Sequence, residues 1–254
     1  MVNTALITIT GDRPEAFAQC EYYMAQQTQQ GWDWIVIDDG KEPTKVTMGQ
    51  RYFRMEPLAN GKESFRRNML KGLAATNSHQ IVFIEDDDAY TPLHVEAITA
   101  PLGHIRTRDA GKDGEVQISG QGGAKYYNLT HRIYKVHPNN KHASLCQTAI
   151  AGPHMKKHFE SILAYTPTPE RLDGLAWKSS MVPPEVKFLT PSSTTTVGMK
   201  GMPGRGGLGV GRGSRIQLLA DRGVEDPDMA MLKKWLGADA EFYENLGLYQ
   251  KESE

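Results

Sequence analysis

Three stretches of the chain are almost wholly apolar or β-branched: residues 4–10 (TALITIT), 32–37 (WDWIVI) and 81–84 (IVFI). Short runs without a polar face predict strands covered on both sides of a sheet. After the first run, Ala16, Phe17, Cys20, Tyr23 and Met24 recur at helical spacing as far as Gly31. Pro14 suits the first position of that helix, with Asp12 or Arg13 just outside it. A short strand at 51–55 and a helix over about 64–75, with Leu70, Leu73 and Ala74 on one side, precede the third run. This alternation predicts an α/β fold, a mostly parallel central sheet flanked by helices. In such sheets ligands bind beyond the carboxyl ends of the strands. Two acidic clusters, Asp38-Asp39 and Glu85-Asp86-Asp87-Asp88, fall there.

The pattern changes after residue 115. No acid occurs between Glu115 and Glu160, a stretch that carries Lys125, Arg132, Lys135, Lys141, Lys156 and Lys157. It also holds His131, His137, His142, His154 and His158, which lack a Cys/His zinc spacing and read as surface or hydrogen-bonded structural groups. Residues 143–151 (ASLCQTAIA) predict a strand, and Arg171–Trp177 the start of a helix. Residues 198–215 contain eight glycines and the cations Lys200, Arg205, Arg212 and Arg215 without an acid, which predicts a loop. A final helix is expected with Asp226 as cap, Pro227 at its first position and Gly237 past its end. These shifts divide one compact domain into 1–118, 119–220 and a helical tail, 221–254.

With 254 residues, 39% of them hydrophobic, and 25 glycines, the chain has an ordinary globular composition and length enough for a sizeable core. Lys and Arg number 29 against 30 Asp and Glu, so anion binding must come from local patches rather than a global field. Strictly apolar runs of four residues are far too short to span a membrane, and MVNTALITIT lacks the features of a signal peptide. Cys20 and Cys146 read as buried free thiols in a reducing compartment, the cytoplasm.

The acidic run at 85–88 is the most informative feature. Four successive carboxylates at a buried strand end repel one another unless a cation neutralises them. Hard oxygen donors suit Mg²⁺ or Mn²⁺. An Asp at 38–39 can accept hydrogen bonds from a nucleobase N–H or a ribose. The loop 198–215 has the complementary sign: its glycines allow close backbone approach, and Lys200, Arg205, Arg212 and Arg215 suit a diphosphate. Gly204–Gly209 matches G-x-G-x-x-G, but no helix opens through Gly209, Gly211 and Gly213, so a dinucleotide fold is rejected. Asp173 is the best candidate for a general base, with Glu170 and Glu185 as competitors. Arg66 and Arg67, on the helix before the acidic strand, either balance carboxylates or are solvated.

This ordered set resembles the GT-A (Rossmann-like) glycosyltransferases, the nucleotide-diphospho-sugar transferases, and especially their inverting, family-2-like branch. ITITGDRP, VIDDG, SFRRNMLKGLAA and IVFIEDDDAY carry the likeness, the last resembling a DxD motif. The resemblance implies a nucleotide-sugar-binding half, an acceptor-side half and C-terminal helices. It implies that Thr8, Thr10, Asp12, Arg13 and Asp39 line a nucleotide pocket approached by Arg66 or Arg67. Asp86 would touch ribose, and Asp86, Asp87 and Asp88 would supply the ligands of Mn²⁺ or Mg²⁺ in either of two registers, Glu85-Asp86-Asp87 or Asp86-x-Asp88. Lys200, Arg205 and Arg212 would face the donor diphosphate, with Arg212 where many relatives place a metal-binding histidine. Asp173 would take the base position.

The implied activity is metal-dependent transfer of a sugar, from UDP-sugar by expectation, to an acceptor hydroxyl with inversion. The chain also resembles compact, stand-alone enzymes of phage type, some of which glycosylate hydroxymethylated DNA bases. A phage-encoded enzyme would work in the host cytoplasm. The acid-free basic stretch 116–159 is compatible with such an anionic acceptor. Two other readings stay open: a sugar nucleotidyltransferase, and a non-catalytic nucleotide- or DNA-binding module.

Overall fold

The computed structural model describes residues 3–107, 113–138, 141–206 and 213–250. The first third follows the predicted alternation: β1 (Thr4–Thr10), α1 (Pro14–Ala25), β2 (Asp33–Asp38), β3 (Arg51–Arg54), α2 (Gly61–Ala74) and β4 (Gln80–Phe83). Helix α1 stops at Ala25, six residues before Gly31, where Gln26 and Gln27 turn back on the carbonyls of Tyr23 and Met24. The middle contains β5 (Ala89–Tyr90), α3 (His94–Thr99), β6 (Ile105–Thr107), β7 (Asp113–Glu115), β8 (Ile118–Gln121), β9 (Lys125–Asn128), β10 (Ile133–Val136) and β11 (Thr148–Ala151). Then come α4 (Gly152–Tyr165), α5 (Leu172–Lys178), β12 (Lys187–Thr190) and β13 (Thr196–Lys200). The tail holds α6 (Arg215–Ala220), β14 (Val224–Glu225), α7 (Ala230–Leu236) and α8 (Ala240–Asn245).

The central sheet has the order β12-β8-β11-β4-β1-β2-β3. Strands β4, β1, β2 and β3 run parallel, whereas β11 is antiparallel to both β4 and β8. The sheet is therefore mixed, parallel on the side that carries the two acidic strand ends. Side chains alternate across it. Leu6, Val36, Val82 and Ile84 join a cluster with Phe17, Tyr23 and Trp34, while Ile7, Ile81 and Phe83 join Leu73, Phe159 and Trp177 on the other face. The rings of Phe83 and Phe159 stack at 5.3 Å. Full burial of each such side chain contributes about 1.5–3 kcal/mol, which is why these runs have no polar face.

A second sheet, β14-β10-β9-β13-β5, packs over the Leu6 side. It corrects two expectations. The segment from 198 is not all loop: Gly198–Lys200 complete β13, and Gly198 lies against the Tyr126 ring, which leaves no room for a Cβ. The helix expected from Pro227 begins at Ala230, as α7, and α8 follows it. Asp226 still caps it from a distance, accepting from the Met231 and Leu232 amides at 3.0 and 3.2 Å. Gly237 ends it as expected. No described helix is long and apolar enough to cross a membrane.

Candidate active site

The carboxyl ends of β1, β2 and β4 form the floor of the site. At the end of β2 the two adjacent aspartates have different tasks. Asp38 is consumed by local structure, accepting from the Gly40 and Thr44 amides at 2.8 and 2.7 Å and from the Tyr52 hydroxyl at 2.5 Å. Asp39 points toward the site. It accepts from the Ser64 hydroxyl, is ion-paired with Arg205, and has Arg67 Nη2 at 3.5 Å. Burial alone would raise the pKa of Asp39, but hydrogen bonds from Arg205 and Ser64, with the Arg205 charge, bring it below the ordinary carboxylate value. Asp12 follows β1 with φ +55, a left-handed conformation that Asp tolerates, and its Oδ1 accepts from the Lys41 amide at 2.6 Å.

The acidic run lies beside this floor. Thr10 Oγ1 donates to Asp86 Oδ2 at 2.7 Å, while Arg13 places Nη2 2.7 Å from Asp86 Oδ1 and Nη1 2.9 Å from Asp87 Oδ2. Asp88 turns the other way, accepting from the Met199 amide at 3.0 Å with Lys200 Nζ at 3.4 Å. Four carboxylates thus face two buried cations. Burial opposes the charge on Arg13 and Lys200, yet the surrounding carboxylates hold both pKa values above normal. The acids are under-compensated. Burial, then the charge of Asp88, pushes Glu85 up to about 8 despite Lys200, and burial raises Asp86 to about 6 despite Arg13.

A divalent cation fits this arrangement. The donors are hard carboxylate oxygens. Asp86 Oδ1 is buried without an aligned hydrogen bond, and negative charge remains unmatched. Among the described residues, the ligand atoms that converge within 4.8 Å belong to Glu85, Asp88 and Cys146. Cys146 is there because of register: β11 pairs antiparallel with β4 through Ala149↔Val82 and Ile150↔Ile81, which brings residues 146 and 85 level beyond the ladder. Both cysteines are free and buried, as the sequence predicts.

Asp173 enters from α5. That helix is fixed by Leu172, Ala176 and Trp177, all buried, and by Trp177 Nε1 donating to Thr148 Oγ1 at 3.0 Å. Burial pushes Asp173 up to about 6, against backbone hydrogen bonds, and its charge is felt at Glu85 and Tyr126. Its competitors differ. Glu170 pairs with Lys62 at 2.9 Å; burial opposes its charge, but hydrogen bonds from Lys62 and the backbone, with the charges of Lys62 and Arg171, together lower its pKa. Glu185 packs near Gly114.

Not every candidate reaches the floor. Thr8 is fully buried and accepts from Trp34 Nε1 at 2.9 Å. Arg66 turns to the end of α4, donating to the carbonyls of Leu163 and Thr166. Arg212 lies outside the described residues. Tyr126, which the sequence did not single out, lies beside Lys200 and feels the charge of Asp173. Lys200 Nζ is 5.8 Å from its ring centroid, and both charges act on its hydroxyl.

Glycosyl transferase family 2 matches residues 6–156, which contain all but the first two residues of β1, both acidic strand ends and β11. The chain belongs to glycosyl transferase family 2. As a family 2 chain it shares its fold with the S. aureus TarS fragment 1–349, at a TM-score of 0.50 and 8% identity, over 78% of this chain and 60% of that one. Structures of the same fragment with UDP and with UDP-GlcNAc are similar at TM-scores of 0.49 and 0.46, each at 8% identity, covering 78% of this chain and 60% and 59% of theirs. The family 2 chain thus spans about three fifths of the fragment it resembles. No curated protein sequence matches it.

Proposed function

We propose that this family 2 chain transfers a sugar from a nucleotide-diphospho-sugar, a UDP-sugar, to an acceptor hydroxyl with inversion at the anomeric carbon. The observation that supports this most is the linkage of three carboxylate sources: Asp39 after β2 is tied through Arg205 to Asp12, the neighbouring Arg13 pairs with Asp86 and Asp87 after β4, and the charge of Asp173 on α5 is felt at Glu85. Asp39 accepts a nucleobase N–H, with Thr10 and Asp12 beside it, and Asp86 meets the ribose. Arg67 steadies Asp39, whereas Arg66 positions α2 against α4. Asp86, Asp87 and Asp88 are the residues that would hold Mn²⁺ or Mg²⁺, with Glu85 converging on Asp88 beside them. When bound, the ion supplies Lewis-acid stabilisation of negative charge on the departing diphosphate.

Arg13 and Lys200 add fixed positive charge at the same end of the cleft. Such preorganised charge strengthens its interaction as the leaving group becomes anionic, which is where catalysis gains most. Asp173 takes the acceptor proton. With a pKa near 6 it is ionised at neutral pH and remains basic enough to accept.

For the acceptor, the acid-free basic stretch 116–159 favours an anionic partner, and hydroxymethylated DNA is the specific proposal. Reaching a base in a duplex would require extruding it. The test is a donor-hydrolysis screen with Mn²⁺, repeated with plain DNA, hydroxymethylated DNA, sugars and peptides. UDP release stimulated by hydroxymethylated DNA alone supports the DNA acceptor; stimulation by sugars or peptides alone removes it. Absence of donor turnover under every condition removes the transferase reading.

A further inference from the structure

We propose that Arg205 closes the nucleobase end of the donor cleft and yields it only to a nucleotide carrying a diphosphate, which makes Arg205 the residue that selects nucleoside diphosphates over nucleosides. This rests on the donor reading above. The Arg205 guanidinium is ion-paired with Asp39 Oδ1, the carboxylate assigned to the base, and lies 3.4 Å from the carbonyls of Asp39 and Thr10. It spans the polar ends of β1 and β2, where a base would sit. Asp39 is fully buried and Arg205 is one-third exposed.

The contact is built into the backbone. The Arg205 amide donates to Asp12 O at 3.1 Å, and Gly204 reaches that position with φ +94, where a Cβ would strike the Asp12 carbonyl. At Gly11 a Cβ would come within 2.5 Å of Arg205 Nη2. Two glycines in separate segments therefore make room for one guanidinium arm.

Exchange at this point has an electrostatic condition. A nucleoside offers Asp39 an N–H but offers the displaced Arg205 nothing, so the buried anion is left to the more distant Arg67, at 3.5 Å. A diphosphate supplies negative charge for the arm to follow. Arg205 is rooted at Asp12, next to Arg13, which lies on Asp86 and Asp87. Its root thus stands between the nucleobase end and the diphosphate end, and the side chain serves either.

The experiment is calorimetric titration of the full chain with uridine and with UDP at fixed Mn²⁺, comparing wild type, Arg205→Ala and Arg205→Lys. Arg205→Ala is expected to bind uridine about five-fold more tightly, since the competing pair is gone, and to bind UDP no better than wild type. Its preference for UDP over uridine then shrinks. Arg205→Lys, which keeps the charge but lacks the planar fork, falls between the two. Uridine binding unchanged or weakened in both variants, with UDP binding retained, overturns the inference. If wild type binds neither uridine nor UDP, the donor reading fails and takes this inference with it.

Discussion

Arg13 Nη2 lies 2.7 Å from Asp86 Oδ1 where both side chains are nearly sealed from water, 11% and 1% exposed. Removing one partner of such a pair leaves an uncompensated buried charge, which costs about 3–5 kcal/mol. Arg13→Ala is therefore expected to lower the urea midpoint strongly, and saturating Mn²⁺ is expected to restore part of the loss by supplying a replacement charge. An unchanged midpoint would show that Arg13 does not neutralise the run.

Asp87→Asn and Asp88→Asn remove one negative charge each without changing side-chain volume. Both are expected to abolish metal-dependent transfer while circular dichroism shows the fold intact. The Mn²⁺-induced rise in melting temperature should shrink in Asp88→Asn, because Asp88 is the member of the run that converges with Glu85 and Cys146. Full activity of both variants in the presence of chelator would end the metal assignment.

The pH dependence follows from Asp173. A base acts in its ionised form, and burial has raised this carboxyl to about 6. Transfer should therefore fall as pH drops through about 6 and level off above it. Asp173→Asn should lose roughly 10²–10⁴-fold in kcat, with the acidic limb of the profile gone and UDP affinity unchanged. An acidic limb persisting unaltered in the variant would assign it to another group.

Phe159→Ala tests the core beneath the site. Its ring stacks on Phe83, two residues before Glu85, and truncation of such a residue costs about 3–5 kcal/mol. Urea unfolding should report that loss. Because Phe83 is the last residue of β4, donor affinity should weaken as well, and a variant with wild-type stability would contradict the packing described.

Much of this site was legible because its parts are local. A buried strand ending in carboxylates announces itself as sequence, and β1, β2 and β4 emerged within one or two residues. The choice between neighbours was less accessible. Asp38 and Asp39 are both acidic and both buried, and only the turn to Thr44 and Tyr52 shows that the first is occupied by local hydrogen bonds. Arg66 and Arg67 differ by one step around α2, and that step sends one to α4 and the other to Asp39. Cys146 joins the acidic run through strand register across 58 or more residues, for which the sequence carries no local signal. Strand β13 was hidden by its glycine, since the close fit of Gly198 to Tyr126 is a tertiary fact.

The reversed direction of β11 has a wider consequence. Because it runs opposite to β8, the chain leaves the sheet after Gln121 and re-enters it at the same end at Thr148, which pairs with Gly120. The segment that holds β9 and β10 is a detour whose two feet stand side by side. Lengthening such an excursion adds little closure entropy, about 0.6 kcal/mol per doubling. The detour can thus be exchanged or enlarged to suit new recipients while the three parallel strands beneath it keep their places.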